Sequence, residues 1–261
     1  MSDDETPSDV PELALPSAFP VLSSNPDELP AVPGGWQHVE IPIGQRSLKL
    51  HRPLDPDLFL DDAKVQSENS RHDYMPYWAF LWPSSVPMAN LVLNAPWPVG
   101  TNVLELGAGI GLVGLAAALR GDRVTFSDYD HTALHMCRLN ARLNGLPDPE
   151  LWFLDWRDVP ARQFPVIVGC EVTYDAGLHE PLLDAISALL APDGVCWLGD
   201  PGRYQAKFFY DKAAARGFHL QLFNAAGERQ TALSSGEFQL LAITRTSGSA
   251  TPTAERSLTP V

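Results

Sequence analysis

The sequence predicts one doubly wound α/β domain, with helices on both faces of a mostly parallel sheet of seven strands. Short apolar segments alternate with helical segments along residues 102–217, and such alternation is typical of a parallel sheet. The last two apolar segments have no helix between them. They therefore predict an antiparallel hairpin at the C-terminal end of the sheet, where a dinucleotide-binding domain would have a sixth parallel strand.

Two elements are expected ahead of this alternation. Residues 36–53, WQHVEIPIGQRSLKLHRP, alternate apolar and polar side chains around IGQR. This period of two predicts a small N-terminal β-hairpin extension. A segment rich in proline and aromatic residues follows, and it becomes helical from about Ser84.

The remaining elements follow in order. The predicted strands are NVLELG, RVTFSD, ELWFLDW, PVIVGCEV and VCWLGDP, and the predicted helices are IGLVGLAAALRG, DHTALHMCRLNARLNG, LHEPLLDAISALLAPDG and YQAKFFYDKAAARG. Asp130 suits the N-cap of the second of these helices. Gly121, Gly145 and Gly194 suit the ends of the first three. FHLQLFNAA and EFQLLAITRT form the closing hairpin.

Composition separates two tails from the domain. Residues 1–34 are rich in Pro, Ser, Asp and Glu and lack apolar periodicity, so we expect a disordered acidic tail. Residues 247–261 have a similar character, which leaves 35–246 as the folded domain. Half of the net charge of −14 falls in residues 1–35, and residues 36–245 carry −7. An acidic body disfavours duplex nucleic acid as a partner and favours a basic protein or a cationic small molecule.

Other bulk features exclude further classes. No apolar run reaches the length of a membrane span, and the first thirty residues do not resemble a signal peptide. We therefore expect a cytoplasmic monomer with no membrane partner. Cys137, Cys170 and Cys196 are far apart, and the seven histidines are scattered. We expect no metal site, and we expect the thiols to be small buried side chains in a reducing compartment.

The stretch VLELGAGIGLVG can be read in two registers that imply different cofactors. From Gly109 it reads G-x-G-x-x-G, with Asp128 about twenty residues later, as in a dinucleotide site. From Glu105 it reads E-x-G-x-G-x-G. A carboxylate at the end of the strand would repel a pyrophosphate, whereas it suits a cationic amino group. We therefore favour the second register, in which Gly114 is only a small residue where the first helix packs on the sheet.

Two further strand ends carry acids. Asp128 follows the second strand and can accept both hydroxyls of a ribose, and Tyr129 is its neighbour. Asp155 and Trp156 close the third strand, where a carboxylate or amide can meet an adenine edge and an indole can cover a ring. Ligands of open α/β sheets bind along this edge of the sheet, so we predict a cofactor site here.

Together these motifs resemble the class I methyltransferases of family 16, a lysine methyltransferase group with a Rossmann-like fold. The resemblance covers residues 36–245 and rests on the motifs Trp82, Glu105-Leu-Gly107-Ala-Gly109-Ile-Gly111, Asp128, Asp155-Trp156 and EVTY at 171–174. GDPGR at 199–203 resembles the branch that contains the lysine methyltransferase of the electron-transfer flavoprotein β-subunit and nicotinamide N-methylase-like bacterial proteins.

The resemblance implies S-adenosylmethionine as cofactor and a [D/E]-x-x-[Y/F] acceptor motif after the fourth strand. Glu171, where many members have Asp, would contact the cofactor, hold the incoming amine and accept or relay its proton. Tyr174 would form a wall of the pocket or accept a hydrogen bond. Trp82 would line or cover the site, whereas the aromatic residues around it more often pack a domain edge. Asp200 and Arg203 either contact the acceptor or form a salt bridge with each other.

The motif after the fourth strand also bears on the acceptor. Methyltransferases acting on adenine or glutamine would be expected to show [N/D]-P-P-[Y/F] there, and EVTY has neither proline. We therefore expect an S-adenosylmethionine-dependent N-methyltransferase that acts on a protein lysine. The alternatives are transfer to a small amine or heterocycle, a non-catalytic S-adenosylmethionine-binding module, and an NAD-dependent oxidoreductase.

Overall fold

The described part of the chain, in this computed structural model, covers Leu22 and residues 25–72 and 74–246. Most of the predicted N-terminal tail and residues 247–261 lie outside it. Residues 25–34 contact the domain: Trp36 Nε1 donates to the Pro30 carbonyl at 2.6 Å, and Leu29 and Val32 pack against the core. Part of the segment assigned to the tail from the sequence therefore packs on the domain that was predicted to begin at residue 35.

The strands form a two-stranded hairpin and a sheet of eight strands. Their bounds are β1 (Trp36–Ile43), β2 (Arg46–Pro53), β3 (Asn102–Leu106), β4 (Arg123–Asp128), β5 (Glu150–Phe153), β6 (Phe164–Cys170), β7 (Leu190–Asp200), β8 (Phe218–Phe223), β9 (Arg229–Gln230) and β10 (Gln239–Arg245). The large sheet has the order β5-β4-β3-β6-β7-β10-β8-β9. Strands β3 to β7 pair in parallel, and β10 lies antiparallel between β7 and β8.

Helices cover both faces of this sheet. Their bounds are α1 (Ala63–His72), α2 (Ser85–Leu93), α3 (Leu112–Arg120), α4 (His131–Leu143), α5 (His179–Leu189) and α6 (Tyr204–Ala215). Apolar residues of α2, α3 and α4 pack in one core layer, and those of α5 and α6 pack in the other. Successive residues of β3 alternate between the layers: Val103 belongs to the first, and Leu104 and Leu106 belong to the second. This alternation places the Glu105 side chain on the α3 face.

The predicted N-terminal hairpin and the predicted helix ends at Asp130, Gly121 and Gly145 are confirmed, whereas the predicted helix end at Gly194 is wrong. Asp130 Oδ1 accepts the Thr132 N–H at 2.7 Å at the start of α4, and Gly121 ends α3 in the left-handed region. The hairpin β1–β2 turns at Gly44 and buries three side chains against the first core layer: Ile43, Leu48 and Leu50.

Three details differ from the sequence-based expectations. Helix α5 ends at Leu189, and residues 190–194, expected to continue it up to a glycine stop, already belong to β7. Leu190 pairs with Phe164 of β6, so the sheet competes successfully for these residues. The two residues of β9 extend the sheet by an eighth strand. The 3₁₀ turn Pro56–Asp61 and α1 were not anticipated.

None of the helices in the described ranges is both long enough and apolar enough to cross a membrane. The three cysteines are free: Cys137 and Cys196 are buried, and Cys170 is half-buried.

Candidate active site

The loop between β3 and α3 contains three glycines with positive φ: Gly107 at 61°, Gly109 at 54° and Gly111 at 87°. Glycine adopts this region without steric cost, and other residues do not. At Gly107 a Cβ atom would also come within 2.9 Å of Val172 Cγ1. The loop therefore needs glycine both for its path and for the close approach of the neighbouring chain.

Glu105 lies in β3 ahead of this loop, and only 2% of its surface is exposed. Its Oε2 accepts the N–H of Gly114 at 2.9 Å. Burial raises the pKa of the Glu105 carboxyl to about 8, and no cation among the described residues contributes to this shift. A Cβ atom on Gly114 would overlap Glu105 Oε2 and come within 2.5 Å of Phe126 Cε1. The prediction for Gly114 is thus confirmed, and its amide additionally holds the Glu105 carboxylate.

Asp128 ends β4 and turns its carboxylate back towards the glycine loop. Its Oδ2 accepts the Gly109 N–H at 2.9 Å, and its Oδ1 accepts the Asp130 N–H at 3.0 Å. Burial raises the pKa of the Asp128 carboxyl to about 7. Asp130 in turn accepts a 2.6 Å hydrogen bond from the Tyr74 hydroxyl. A chain of polar contacts therefore fixes this acid beside the glycine loop.

Asp155 and Trp156 follow β5, as predicted for the third strand of the alternation. The Asp155 carboxylate forms an ion pair with Arg157 at 2.6 Å and also accepts the Arg157 N–H. This hydrogen-bonded guanidinium lowers the pKa of the Asp155 carboxyl. Trp156 is half-buried, and its ring edge lies 3.7 Å from where a Cβ of Gly107 would stand. The indole is therefore close to the glycine loop.

Glu171 directly follows β6 and is the one non-glycine residue of the described chain with positive φ, at 54°. It is 4% exposed. Its Oε1 accepts the Ser84 N–H at 2.8 Å. Its Oε2 lies 2.5 Å from Arg203 Nη2, an ion pair whose angles fall outside hydrogen-bond geometry. The Arg203 guanidinium also lies over the Trp82 ring, 5.6 Å from its centroid, so one arginine contacts two predicted site residues.

Asp200 and Arg203 do not form the salt bridge considered from the sequence. The Arg203 guanidinium pairs with Glu171 instead. The Asp200 carboxylate accepts the backbone N–H of Arg203 at 2.8 Å and the Thr173 hydroxyl at 2.9 Å. Asp200 therefore fixes the loop that carries Arg203 and leaves the arginine side chain available to Glu171.

Tyr174 belongs to a chain of aromatic rings. Its ring centroid lies 5.4 Å from that of Tyr77, which lies 6.1 Å from that of Trp82. Trp82 Nε1 donates to the Tyr77 carbonyl at 3.1 Å, and the Phe80 ring is 5.4 Å from the Trp82 ring. Burial raises the pKa of Tyr174 to about 12, so its hydroxyl stays protonated near neutral pH.

One cavity of about 730 Å³ joins these groups. It is lined by ten of the predicted site residues: Trp82, Glu105, Gly107, Gly109, Asp128, Tyr129, Asp155, Trp156, Glu171 and Tyr174. Gly111 does not line it, because this residue faces Cys137 and Phe126 beneath the loop. The strand ends that carry these side chains meet at the carboxyl edge of the sheet, where α/β folds bind ligands.

The structure also adds residues that the motifs did not indicate. Tyr74, Tyr77, Trp78 and Phe80, expected to pack a domain edge, line the cavity, as do the apolar residues Ile110, Leu112, Val113 and Leu154. The density of aromatic residues before α2 was a usable signal for the first group. The sequence contains no such signal for the apolar lining residues, because they cannot be distinguished in sequence from ordinary core residues.

The eight-stranded sheet, its antiparallel β10 and the cavity at its carboxyl edge define a class I methyltransferase domain. A family model described as lysine methyltransferase matches residues 81–212, which is half of the chain. The protein therefore belongs to this lysine methyltransferase family, as its motifs predicted.

Similar proteins carry related names. The mouse (Mus musculus) electron transfer flavoprotein beta subunit lysine methyltransferase is 32% identical over 133 residues, which cover 50% of this chain and 52% of that protein. Mouse EEF1A lysine methyltransferase 3 is 30% identical, with 47% and 56% covered. The chain thus matches about half the length of these relatives. The solved structure of T. thermophilus 16S rRNA N2 G1207 methyltransferase shares the fold, with a TM-score of 0.56 at 18% identity, covering 83% of this chain and 52% of that one.

The residues of the cavity fit S-adenosylmethionine, the methyl donor that this class implies. Glu105 is a buried acid without a cationic partner in the described chain, and a ligand ammonium would compensate it. Asp128 can accept hydrogen bonds from ribose hydroxyls. A pyrophosphate would instead face both acids. The site therefore favours the register read from Glu105 over the dinucleotide register.

Proposed function

We propose that this protein is an S-adenosylmethionine-dependent N-methyltransferase that acts on the lysine side chain of a protein substrate. The observation that carries the proposal is Glu105, a buried carboxyl group on the cavity wall that has a hydrogen bond but no cationic partner among the described residues. Family membership and the names of the relatives support the lysine acceptor.

The chain's own residues divide the work of binding. The glycine loop lets the backbone approach the ligand, and Glu105 offers a negative charge to its amino group. Asp128 accepts the ribose hydroxyls, while Asp155 and Trp156 border the region for the adenine. When bound, S-adenosylmethionine supplies a methyl group on a positively charged sulfur. We assign these residues as the cofactor site, with Tyr129 at its edge.

The acceptor amine has to lose a proton before it can attack, because the unperturbed pKa of lysine is about 10.4. The wall formed by Tyr77, Trp82 and Tyr174 removes water from the amine and so favours its neutral form. Glu171 attracts the ammonium to this wall. In-line displacement needs the nitrogen within about 3 Å of the methyl carbon, and the aromatic walls restrict the amine to that approach.

Arg203 changes the role expected for Glu171. Since one carboxylate oxygen is held by Ser84 N–H and the other faces Arg203, Glu171 acts as a fixed charge that orients the amine. The proton that the ammonium loses then passes to water at the mouth of the cavity. We assign Glu171 and Tyr174 as the groups that contact the acceptor. The cytoplasmic location, the monomeric state and the absence of a nucleic-acid partner stay predictions.

Titration calorimetry and labelled methyl transfer test the proposal together. S-adenosylmethionine should bind the wild-type protein, and Glu105→Ala should weaken binding by tenfold or more, since the buried ammonium loses its partner. The exposed Asp193→Asn serves as a matched control for loss of a carboxylate. NADH should not bind. Absence of S-adenosylmethionine binding to the wild type would reject the proposal.

Incubation of the protein and labelled donor with a cell lysate identifies the acceptor class. Label should enter protein bands, and acid hydrolysis should release it as methylated lysine. Label in the low-mass fraction would instead identify a small amine or heterocycle as acceptor. Binding without any transfer would identify a non-catalytic module.

A further inference from the structure

The described surface exposes eight large apolar side chains, of which two line the cavity and two lie at the start of α6, next to the loop that carries Arg203. Tyr77 and Tyr129 line the cavity and are 39% and 41% exposed. Tyr204 and Phe208 lie in the first two turns of α6, and Tyr204 stands between Arg203 and Gln205, which also lines the cavity. Exposed apolar groups that cluster at one place mark interaction sites, whereas scattered ones do not.

Tyr204 and Phe208 form the most unusual part of this cluster. Tyr204 is 73% exposed and Phe208 is 42% exposed. They are four residues apart on one helix face, and their rings meet edge to face with centroids 4.9 Å apart. Aromatic pairs of this kind dominate the binding energy of protein interfaces when a partner covers them.

The start of α6 is fixed relative to the acceptor wall. The backbone N–H of Arg203 is bonded to Asp200, and the Arg203 side chain reaches Glu171 and Trp82. The carbonyl of Gly202 accepts the Gly236 N–H at 3.1 Å. A partner bound to the aromatic pair would therefore lie at a defined position from the place where methyl transfer occurs.

The charge of the cavity indicates which partner this surface suits. Its lining contains six carboxylic acids and one arginine: Glu105, Asp128, Asp130, Asp155, Glu171, Asp175 and Arg157. Arg157 pairs with Asp155 and Arg203 pairs with Glu171, which leaves the lining with an excess of acids that no described cation compensates. A bound cation favours the ionised forms of Glu105 and Asp128. The cavity therefore favours a cationic group, while the aromatic pair outside it favours an apolar group. A small amine inside the cavity would not reach the pair.

We propose that Tyr204 and Phe208 form a docking surface for the substrate protein, which presents a lysine with apolar side chains three or four residues away. The proposal rests on the proposed lysine methyltransferase function and names the class of segment recognised. The lysine enters the cavity between the aromatic walls, and the neighbouring apolar side chain covers the Tyr204–Phe208 pair.

Fluorescence anisotropy with two labelled peptides tests this docking surface. Both have a central lysine; one has Leu and Phe three and four residues to each side, and the other has Ser at these positions. The apolar peptide should bind the wild type about tenfold more tightly than the serine peptide. The double variant Tyr204→Ala, Phe208→Ala should lose this preference, whereas Leu54→Ala, Val99→Ala, which removes two exposed apolar side chains that do not line the cavity, should keep it.

Equal binding of both peptides by the wild type, or no binding of either, would overturn the docking proposal. So would a dimer in sedimentation analysis that the double variant converts to monomers, because the pair would then bind a second copy of the chain. S-adenosylmethionine affinity, measured in parallel, should be the same in the wild type and the double variant. If neither the wild type nor the variants bind S-adenosylmethionine, the proposed function is rejected. The peptide preference is still tested in that case, because anisotropy measures peptide binding without methyl transfer.

Discussion

Two buried glutamates on the cavity wall differ in their partners. Glu171 faces the guanidinium of Arg203, whereas Glu105 has a backbone N–H and no cation among the described residues. A buried charge without a partner is costly, and its protonation relieves that cost. The charge of Glu171 is therefore compensated by the protein itself, whereas the charge of Glu105 is left for a cationic ligand to compensate.

Stability of the ligand-free protein should decrease as the pH rises from 6 to 8. The pKa of Glu105 is about 8 in the folded protein and has its ordinary value near 4.5 in the unfolded chain, so folding retains a proton that unfolding releases. Glu105 thus makes its full contribution to the free energy of unfolding below pH 4.5, and this contribution is lost as the pH rises towards 8. Between pH 6 and 8 the loss from Glu105 alone is about 2 kcal/mol. The raised pKa of Asp128 adds to this loss in the same direction.

Urea unfolding at several pH values measures this effect. Glu105→Gln should reduce the pH dependence of the free energy of unfolding, because the residue that titrates has been removed. The exposed Asp193→Asn should leave the dependence as in the wild type. An unchanged pH dependence in Glu105→Gln would contradict this prediction, because it would show that the wild-type Glu105 carboxyl is ionised in the folded protein without a cation.

Arg203 should affect methyl transfer indirectly, through its contacts with Glu171 and Trp82. Arg203→Met leaves the buried Glu171 carboxylate without its charge partner, so we expect kcat to fall at least tenfold. S-adenosylmethionine affinity should change less than threefold, because Arg203 is not part of the cavity lining. Arg203→Lys should restore part of kcat. Steady-state kinetics check this, and an unchanged kcat in the Met variant would contradict it.

At the scale of elements, the contact between α3 and β3 controls the site. Gly114 allows the helix to lie against Glu105 and Phe126, and its amide holds the carboxylate. Both Glu105 and residues at the start of α3 line the cavity. A displacement of this helix would therefore change the place where the ligand meets the acid.

Gly114→Ala should destabilise the domain by about 2 kcal/mol, because the added Cβ overlaps Glu105 and Phe126. The sign of the stability change is informative, because alanine inside a helix is more stable than glycine by about 1 kcal/mol where space allows. S-adenosylmethionine should also bind more weakly. Urea unfolding and calorimetry measure both quantities, and a more stable variant would show that the helix does not approach β3 this closely.

At the scale of the whole molecule, the N-terminal hairpin and the glycine loop are joined through one buried side chain. Asn140 of α4 accepts the His51 N–H at 2.7 Å and donates to the Ile110 carbonyl at 2.9 Å. Asn140 is fully buried. Asn144, one turn later, makes a similar pair of bonds to Lys49 at the surface. The hairpin is therefore a support of the site as well as an extension of the domain.

Asn140→Ala should cost about 2–4 kcal/mol of unfolding free energy, because the half-buried N–H of His51 and the buried carbonyl of Ile110 lose their partner. Asn144→Ala provides the matched control. It should cost less than about 1 kcal/mol, since water replaces the lost bonds there. Only the first variant should weaken S-adenosylmethionine binding. Equal losses of stability in the two variants would contradict this account.

Much of this architecture could be predicted from residue patterns. The alternation of apolar and helical segments, the capping Asp130 and the hairpin around Gly44 are local features, and local features are visible in one dimension. The end of α5 was predicted wrongly because Leu190 pairs with Phe164, which is distant in the chain. A short strand such as β9 depends on its neighbour in the same way.

By itself, the sequence determined the order of the strands and helices, the family, and the acids at the strand ends, because spacing and residue type encode them. Only the tertiary structure decided which charges are compensated. Arg203 pairs with Glu171 rather than Asp200, and Glu105 lacks a cation in the described chain. Such pairing depends on distances between segments far apart in the chain. Burial then sets how strongly each charge needs a partner.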